Sequence, residues 1–448
     1  MVKSTKKQSA KTKKTEDWMI LCKCKDKKKN DVYLPVNDRL HHQYFVWQDD
    51  TWKTTMILNQ AIEDIKAWNG FCFIDQYGDY AEEILKYFPK ERMDDLVYMD
   101  FSNQEYPIWI NILNEARNTE EKDIITNHII DMFLDMYGPE LFGPRIQDYL
   151  HNACFLLMDQ PERWTLVDIM RLFTDDYFAE AKIRNIKDPV IAAWWNKTYK
   201  KMWDREKSEI IPFIQAKIWP FTRSIYVRNI IGQPESSVNF SEIVKENKII
   251  ICNLARWIIW NLNAEILWRI LMMEMNVVLS RRIRMKKLSI KPYFLYLDGF
   301  QDYVWSSFGS FLLNASRNKL WVIMFNDYVT QLQKLWRDWV LDLSNFIFNL
   351  VGTVGSFRIW SLDAENLEKF FSPYFTKLDL QELKNNSLII KKYENDSFVK
   401  PFLWYIKKNS EKIKNSPKKI DIIKEISSLR WWSKREIVDK EIYFRVWV

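Results

Sequence analysis

The sequence predicts an α/β protein with a mainly parallel sheet, interrupted by an all-helical insertion. Three observations predict it. Short apolar runs alternate with helical periodicity between residues 25 and 150, the pattern of βαβ units. From about residue 117 to residue 214 the periodicity is almost wholly helical, and strand-like runs then return. Finally, one strand-turn-helix junction near residue 50 carries the spacing of a phosphate-binding loop.

Taken in order, His42-Gln43-Tyr44-Phe45-Val46 is the first strand of the alternating pattern, running into the polar turn 47–52. After Lys53-Thr54, apolar residues at Ile57, Leu58, Ala61, Ile62 and Ile65 form a helical stripe. Phe71-Cys72-Phe73-Ile74 is a second buried strand, ending at Asp75. Residues 124–136 and 144–158 read as long helices of the insertion. Strands return at residues 248–252, 293–297 and 321–325, with one amphipathic helix over residues 263–281. The sheet is thus expected to be completed after the insertion. No repeat of fixed period is evident.

Composition excludes several classes. With 47% hydrophobic and 28% charged residues, 448 residues form neither a disordered nor a fibrous chain, and the length allows two or three domains. Five cysteines make no disulfide framework, and Cys22-x-Cys24 lacks the second pair or histidine that would complete a metal site. The expected compartment is cytoplasmic, since neither a run of 18 apolar residues nor a signal-peptide core is evident. Basicity sits at the two ends. Residues 1–30 carry a balance of +8 and residues 405–448 one of +6, against +7 for the whole chain. Such ends suit phosphate backbones or anionic lipid, or form solvated tails.

Glycine usage is anomalous. Nine glycines stand against 22 tryptophans, whereas average usage predicts roughly 31 glycines in a chain of this length. The phosphate-binding pattern G-x-x-x-x-G-K-[ST] is met in spacing by Trp47-Gln48-Asp49-Asp50-Thr51-Trp52-Lys53-Thr54, with tryptophan at both glycine positions and Thr55 following. In such a loop the glycines let backbone N–H groups wrap phosphate, lysine reaches the β/γ-phosphates and the hydroxyl holds Mg²⁺. The strand at residues 293–297 ends in Asp298, the arrangement in which an aspartate orients Mg²⁺. Strand capping alone would also account for that aspartate.

Several runs occur in the order found in one family: Phe71-Cys72-Phe73-Ile74-Asp75-Gln76-Tyr77-Gly78-Asp79, Arg228-Asn229-Ile230-Ile231-Gly232-Gln233-Pro234, Leu295-Tyr296-Leu297-Asp298-Gly299-Phe300-Gln301, Asn349-Leu350-Val351-Gly352-Thr353-Val354, and Ser356-Phe357-Arg358 followed by Asp363-Ala364-Glu365. On these the chain resembles, over residues 34–401, the type IV secretion coupling proteins of the TraG/TraD kind. These are DNA-pumping ATPases of bacterial conjugation, related to the FtsK and HerA translocases. The resemblance implies a RecA-like P-loop NTPase in two parts, residues 31–116 and 215–404. Around it lie an all-α insertion at 117–214, a lysine-rich N-terminal tail at 1–30 and a basic C-terminal tail at 405–448. It implies ATP and Mg²⁺ as cofactors, with Lys53 on the β/γ-phosphates, Thr54 and Asp298 on the metal, and Arg358 as a finger reaching a neighbouring subunit's nucleotide. It also implies a hexamer that contacts DNA through its backbone, secretion or relaxosome partners, and a place at the inner face of the cell membrane beside a membrane-bound partner.

Where the family carries glycine, this chain has Trp47, Trp52, Trp109, Trp219, Trp268 and Trp360, with Trp203, Trp257 and Trp260 in the same class. We therefore expect these codons to be UGA read as glycine, whereas Trp194 or Trp195 is a genuine tryptophan. Tryptophans in glycine slots argue against a Trp-rich binder of sugars or membrane interfaces. Other departures remain. Asp49 and Asp50 are unfavourable beside a triphosphate, Gly299 stands where the family has glutamate, Asp327 follows Asn326 where it has glutamine, and Ser316-Arg317 lies near the place of an expected arginine. They point to a second reading, a non-hydrolysing DNA-binding or scaffold subunit of the same fold.

Overall fold

The computed structural model of the chain describes residues 18–25, 31–35, 39–48, 51–302, 307–336, 339–394, 397–406 and 417–447. Its strands are β1 (Trp18–Lys25), β2 (Asp31–Pro35), β3 (His42–Val46), β4 (Gly70–Asp75), β5 (Leu96–Asp100), β6 (Ile249–Asn253), β7 (Tyr293–Asp298), β8 (Leu320–Asn326), β9 (Gln333–Trp336), β10 (Trp339–Asp342), β11 (Val351–Ser356), β12 (Ser387–Glu394), β13 (Ser397–Phe398) and β14 (Phe402–Tyr405). Ten of them form one sheet in the order β13-β12-β11-β3-β8-β7-β4-β6-β5, with β14 also on β12. From β11 to β5 every pairing is parallel, and β12, β13 and β14 add an antiparallel edge.

A parallel sheet is covered on both faces, which is why its strands are continuously apolar instead of alternating. Side chains nevertheless divide with period two. Phe71, Phe73, Phe294 and Tyr296 join one core with α1 (Lys53–Lys66) and α2 (Asp79–Tyr87). Cys72, Ile74, Tyr293, Leu295 and Leu297 join the other, with helix Asn261–Ile283 and the insertion. Between Asp100 and Ile249 every regular element is helical, beginning with α3 (Thr119–Leu141) and α4 (Pro144–Met158).

Three expectations change. Helix Asp204–Arg223 runs through residue 214, because Ile210, Ile214, Ile218 and Phe221 form one buried stripe that no break at that residue interrupts. Residues 18–25, expected within a tail, form the hairpin strand β1 with β2. Much of the expected C-terminal tail is helical, in helices Pro417–Trp431 and Arg435–Trp447. Ile423, Trp432, Val438 and Ile442 are buried there, and Ser427 Oγ donates to the Tyr98 carbonyl of β5, so apolar contacts override the basic composition. Among the described residues no helix is long and apolar enough to cross a membrane.

Candidate functional site

In a parallel sheet all carboxyl ends lie on one edge, and ligand sites gather there. At that edge Trp47 and Lys53 follow β3, Asn326 and Asp327 end and follow β8, Asp298 ends β7, and Asp75 and Gln76 end and follow β4. All of these but the fully buried Asp75 line a cleft of about 350 Å³, together with Thr54, Tyr77, Asp79, Tyr80, Arg256, Gly299 and Asp302. The expected site residues Lys53, Thr54 and Asp298 therefore come together although 244 positions separate the last two in sequence.

A buried fork fixes this juxtaposition. Arg39 donates to both carboxylate oxygens of Asp64 on α1, at 2.7 and 2.8 Å, and to the Tyr296 hydroxyl on β7 at 3.0 Å. Tyr296 also donates to Asp64. The helix that starts with Lys53 is thus tied to the strand that ends in Asp298, and bidentate charge-assisted bonds of this kind set register as well as energy.

The acidic end of the cleft suits a cation. Burial pushes the Asp298 carboxyl well above the usual carboxylate range, helped by Asp75, Asp327 and Asp79 and opposed by Lys53. Asp75 is likewise raised by burial, to about 6, although the amides of Ala81, Gly78 and Tyr77 donate to it and hold it down. Several acids crowd one small volume, and a divalent ion is what would let them ionise together.

The phosphate end does not fit as the sequence stands. The Trp47 side chain is buried, and its indole N–H donates to Asp327 Oδ1 at 2.7 Å. Lys53 Nζ lies 4.9 Å from the centre of that ring and 3.2 Å from the same carboxylate oxygen. The indole thus occupies the space into which the lysine points. Two of the described loop amides are engaged elsewhere: Gln48 N–H donates to the Arg358 carbonyl and Trp52 N–H to the Asn385 carbonyl, both at 2.9 Å, while Thr51 Oγ1 donates to the Gln48 carbonyl. Asp49 and Asp50 lie outside the described residues. Thr55 is in the first turn of α1 but does not line the cleft. Arg358 sits behind the loop of its own chain, its guanidinium 2.9 Å from Asn385 Oδ1, and Arg317 is exposed at the end of helix Phe308–Arg317, away from the cleft.

Gly299 has φ +64°, and a Cβ placed there would meet Gln76 Oε1 at 2.6 Å. A glutamate at this position would be strained by the left-handed backbone, and its Cβ would have to displace the end of the Gln76 side chain. Gln76 fills that space, donating to Asp302 at 3.0 Å, and Asp302 is paired with Arg256. Composition and spacing did not single out Arg256 and Asp302 as site residues. Gln76 lies in the run 71–79 that carries the family resemblance, two residues before Gly78, which has φ +98°.

Backbone geometry also bears on the tryptophans. Of the five non-glycine residues with positive φ among those described, two are Trp68 and Trp260. Trp68 (φ 58°) follows Ala67, the residue that caps α1, with Asn69 N–H on the Asp64 carbonyl and Trp68 N–H on that of Ile65. That is the Schellman ending, whose left-handed position glycine dominates. Trp260 (φ 72°, ψ 154°) lies in a region that is essentially glycine-only.

No protein-family model matches this chain, and no curated protein sequence matches it. Solved structures do. The unbound bacterial conjugative coupling protein TrwB superposes with a TM-score of 0.58 at 11% identity, covering 86% of this chain and 88% of that one. TrwB in complex with ADP and Mg²⁺ gives 0.58 at 11%, covering 86% and 89%. VirB4 of Thermoanaerobacter pseudethanolicus gives 0.56 at 10%, covering 89% and 97%. The chain shares the fold of these proteins, a mostly parallel sheet flanked by helices.

Proposed function

We propose that this chain is an ATPase of a conjugation or type IV secretion machine that moves DNA, working as a hexameric ring, with glycine in place of Trp47 and Trp52. The observation that carries it is the convergence of Lys53, Thr54 and Asp298 on one cleft at the carboxyl edge of the sheet. When bound, MgATP supplies the phosphoanhydride whose cleavage drives such motors. Lys53 would neutralise its phosphates, Thr54 and Asp298 would hold the metal, and Arg358 would serve a neighbouring subunit. The reading is supported by the shared fold and by neighbours solved with ADP and Mg²⁺ or with a non-hydrolysable ATP analogue. The glycine substitution is supported by the strained backbone at Trp68 and Trp260 and by the indole in the phosphate space. The codons at these positions test it directly, since UGG at 47 and 52 would refute it.

A second reading, a nucleotide-binding scaffold without turnover, is favoured by Gly299, which supplies no carboxylate to orient water and whose left-handed backbone disfavours any side chain. The test is nucleotide binding and hydrolysis, with and without DNA, by the Trp47→Gly/Trp52→Gly chain. DNA-stimulated turnover that Lys53→Ala abolishes supports the motor. Binding without turnover supports the scaffold, and absence of binding removes both.

A further inference from the structure

A second cleft, basic in its lining, lies at the opposite edge of the sheet, where β6 and β7 begin, one strand length or about 17–20 Å from the nucleotide cleft. It measures about 300 Å³ and is lined by Arg117, Glu242, Lys245, Arg281, Arg282 and Lys291, together with the hydroxyl residues Ser241 and Ser289.

These cations differ in their partners. Arg281 is held by Glu115 and Glu121, each at 3.0 Å, and Arg117 adds to the field on Glu121. Arg282 is 6% exposed. One of its nitrogens donates to the Lys291 carbonyl, while Nη1 has no hydrogen-bond partner. No carboxylate pairs with it among the described ion pairs, and burial lowers its pKa to about 10. A buried guanidinium with an unmade bond is costly, and an acceptor supplied to Nη1 would remove that cost. Lys245 and Lys291 are exposed at the rim. With Arg282 they outnumber the single remaining lining acid, Glu242, by two charges. Lys286 and Lys287 extend the basic surface along residues 281–291, a stretch with six cations and no acid.

One carboxylate would leave that excess uncompensated, whereas a phosphate with its neighbours along a backbone would match it. We propose that this cleft binds a phosphoryl group, with Arg282 as the buried donor and Lys245 and Lys291 as the rim. The site is distinct from the nucleotide cleft and does not depend on the reading of that cleft. Its ligand is either a phosphate of a polynucleotide or a free phosphate.

The test uses the full chain without nucleotide. Binding of a labelled single-stranded oligothymidylate is followed by fluorescence anisotropy over a salt series, and inorganic phosphate by its thermal shift. The variants are Arg282→Gln and the surface pair Lys245→Gln/Lys291→Gln, which remains informative where the buried substitution impairs folding. If the ligand is a polynucleotide, the lysine pair weakens oligothymidylate binding at least tenfold. It also makes the slope of log K on log salt shallower by about 1.4, the contribution of two single-strand phosphate contacts. If the ligand is free phosphate, the oligonucleotide is unaffected and the phosphate-induced thermal shift is lost in both variants. Unchanged binding of both probes in the lysine pair overturns the proposal.

Discussion

Replacing Trp260 by glycine is predicted to leave the protein as stable as before, while alanine at the same position destabilises it. Trp260 is 76% exposed, so only about a quarter of a side chain that buries roughly 150–250 Å² contributes contact. Losing that contact costs at most about 1.5 kcal/mol at 25 cal/mol per Å². Glycine adds about 0.5–1 kcal/mol of unfolded-state entropy. Against these, a non-glycine residue at φ 72°, ψ 154° carries about 1–3 kcal/mol of strain, which glycine relieves and alanine keeps. The terms leave Trp260→Gly near neutral and place it about 1 kcal/mol above Trp260→Ala. At an ordinary position the order is reversed, because alanine loses less entropy on folding. Urea unfolding by circular dichroism, with equal slopes for the two variants, measures the difference as a shift in midpoint. Alanine equal to or better than glycine would refute the argument from backbone strain.

Other consequences follow from the same geometry. Trp68→Gly should likewise exceed Trp68→Ala by about 1 kcal/mol in urea unfolding, since the left-handed ending of α1 is the cause of the strain and the side chain is 57% exposed. Gly299→Glu should lower the melting temperature without adding hydrolysis, because the new Cβ meets Gln76; a gain of turnover would show that the loop can rearrange. Asp64→Asn should cost about 3–5 kcal/mol by removing the carboxylate that faces the buried Arg39 guanidinium, read as a lower urea midpoint. The raised carboxyl of Asp75 means that the folded state binds the extra proton between the usual aspartate value and about 6, so stability should fall as pH rises through that window. Asp75→Asn should flatten this dependence in thermal melts taken from pH 4 to 7. Binding of Mg²⁺ should weaken toward acid pH and release protons, because the metal competes with the proton on Asp298; calorimetry in buffers of different ionisation enthalpy reads this.

Much of the sheet was legible because its strands are buried on both faces. The runs at residues 42–46, 71–74 and 293–297 announce themselves by continuous apolar character, and β3, β4 and β7 cover them with at most one further residue at each end. α4 was legible because Pro144 opens it and its apolar stripe is regular. β5, β12 and β14 were not picked out. They are short or mixed in polarity, and their pairing on the sheet's edges supplies what their sequences lack.

The sequence by itself determined the alternation of elements, the loop spacing that ends in Lys53-Thr54 and the aspartate that ends β7, because each depends on residues a few positions apart. Only the tertiary structure decided what meets in the cleft. Inserting β8 between β3 and β7 sets Asp327 against Lys53 and Trp47, and the left-handed turn at Gly299 lets Gln76 take the space of a glutamate. Strand order is a long-range pairing, and no local periodicity encodes it. The anomaly in composition became specific in the same way: a count cannot say which tryptophans stand at glycine positions, whereas a positive φ at Trp68 and Trp260 can.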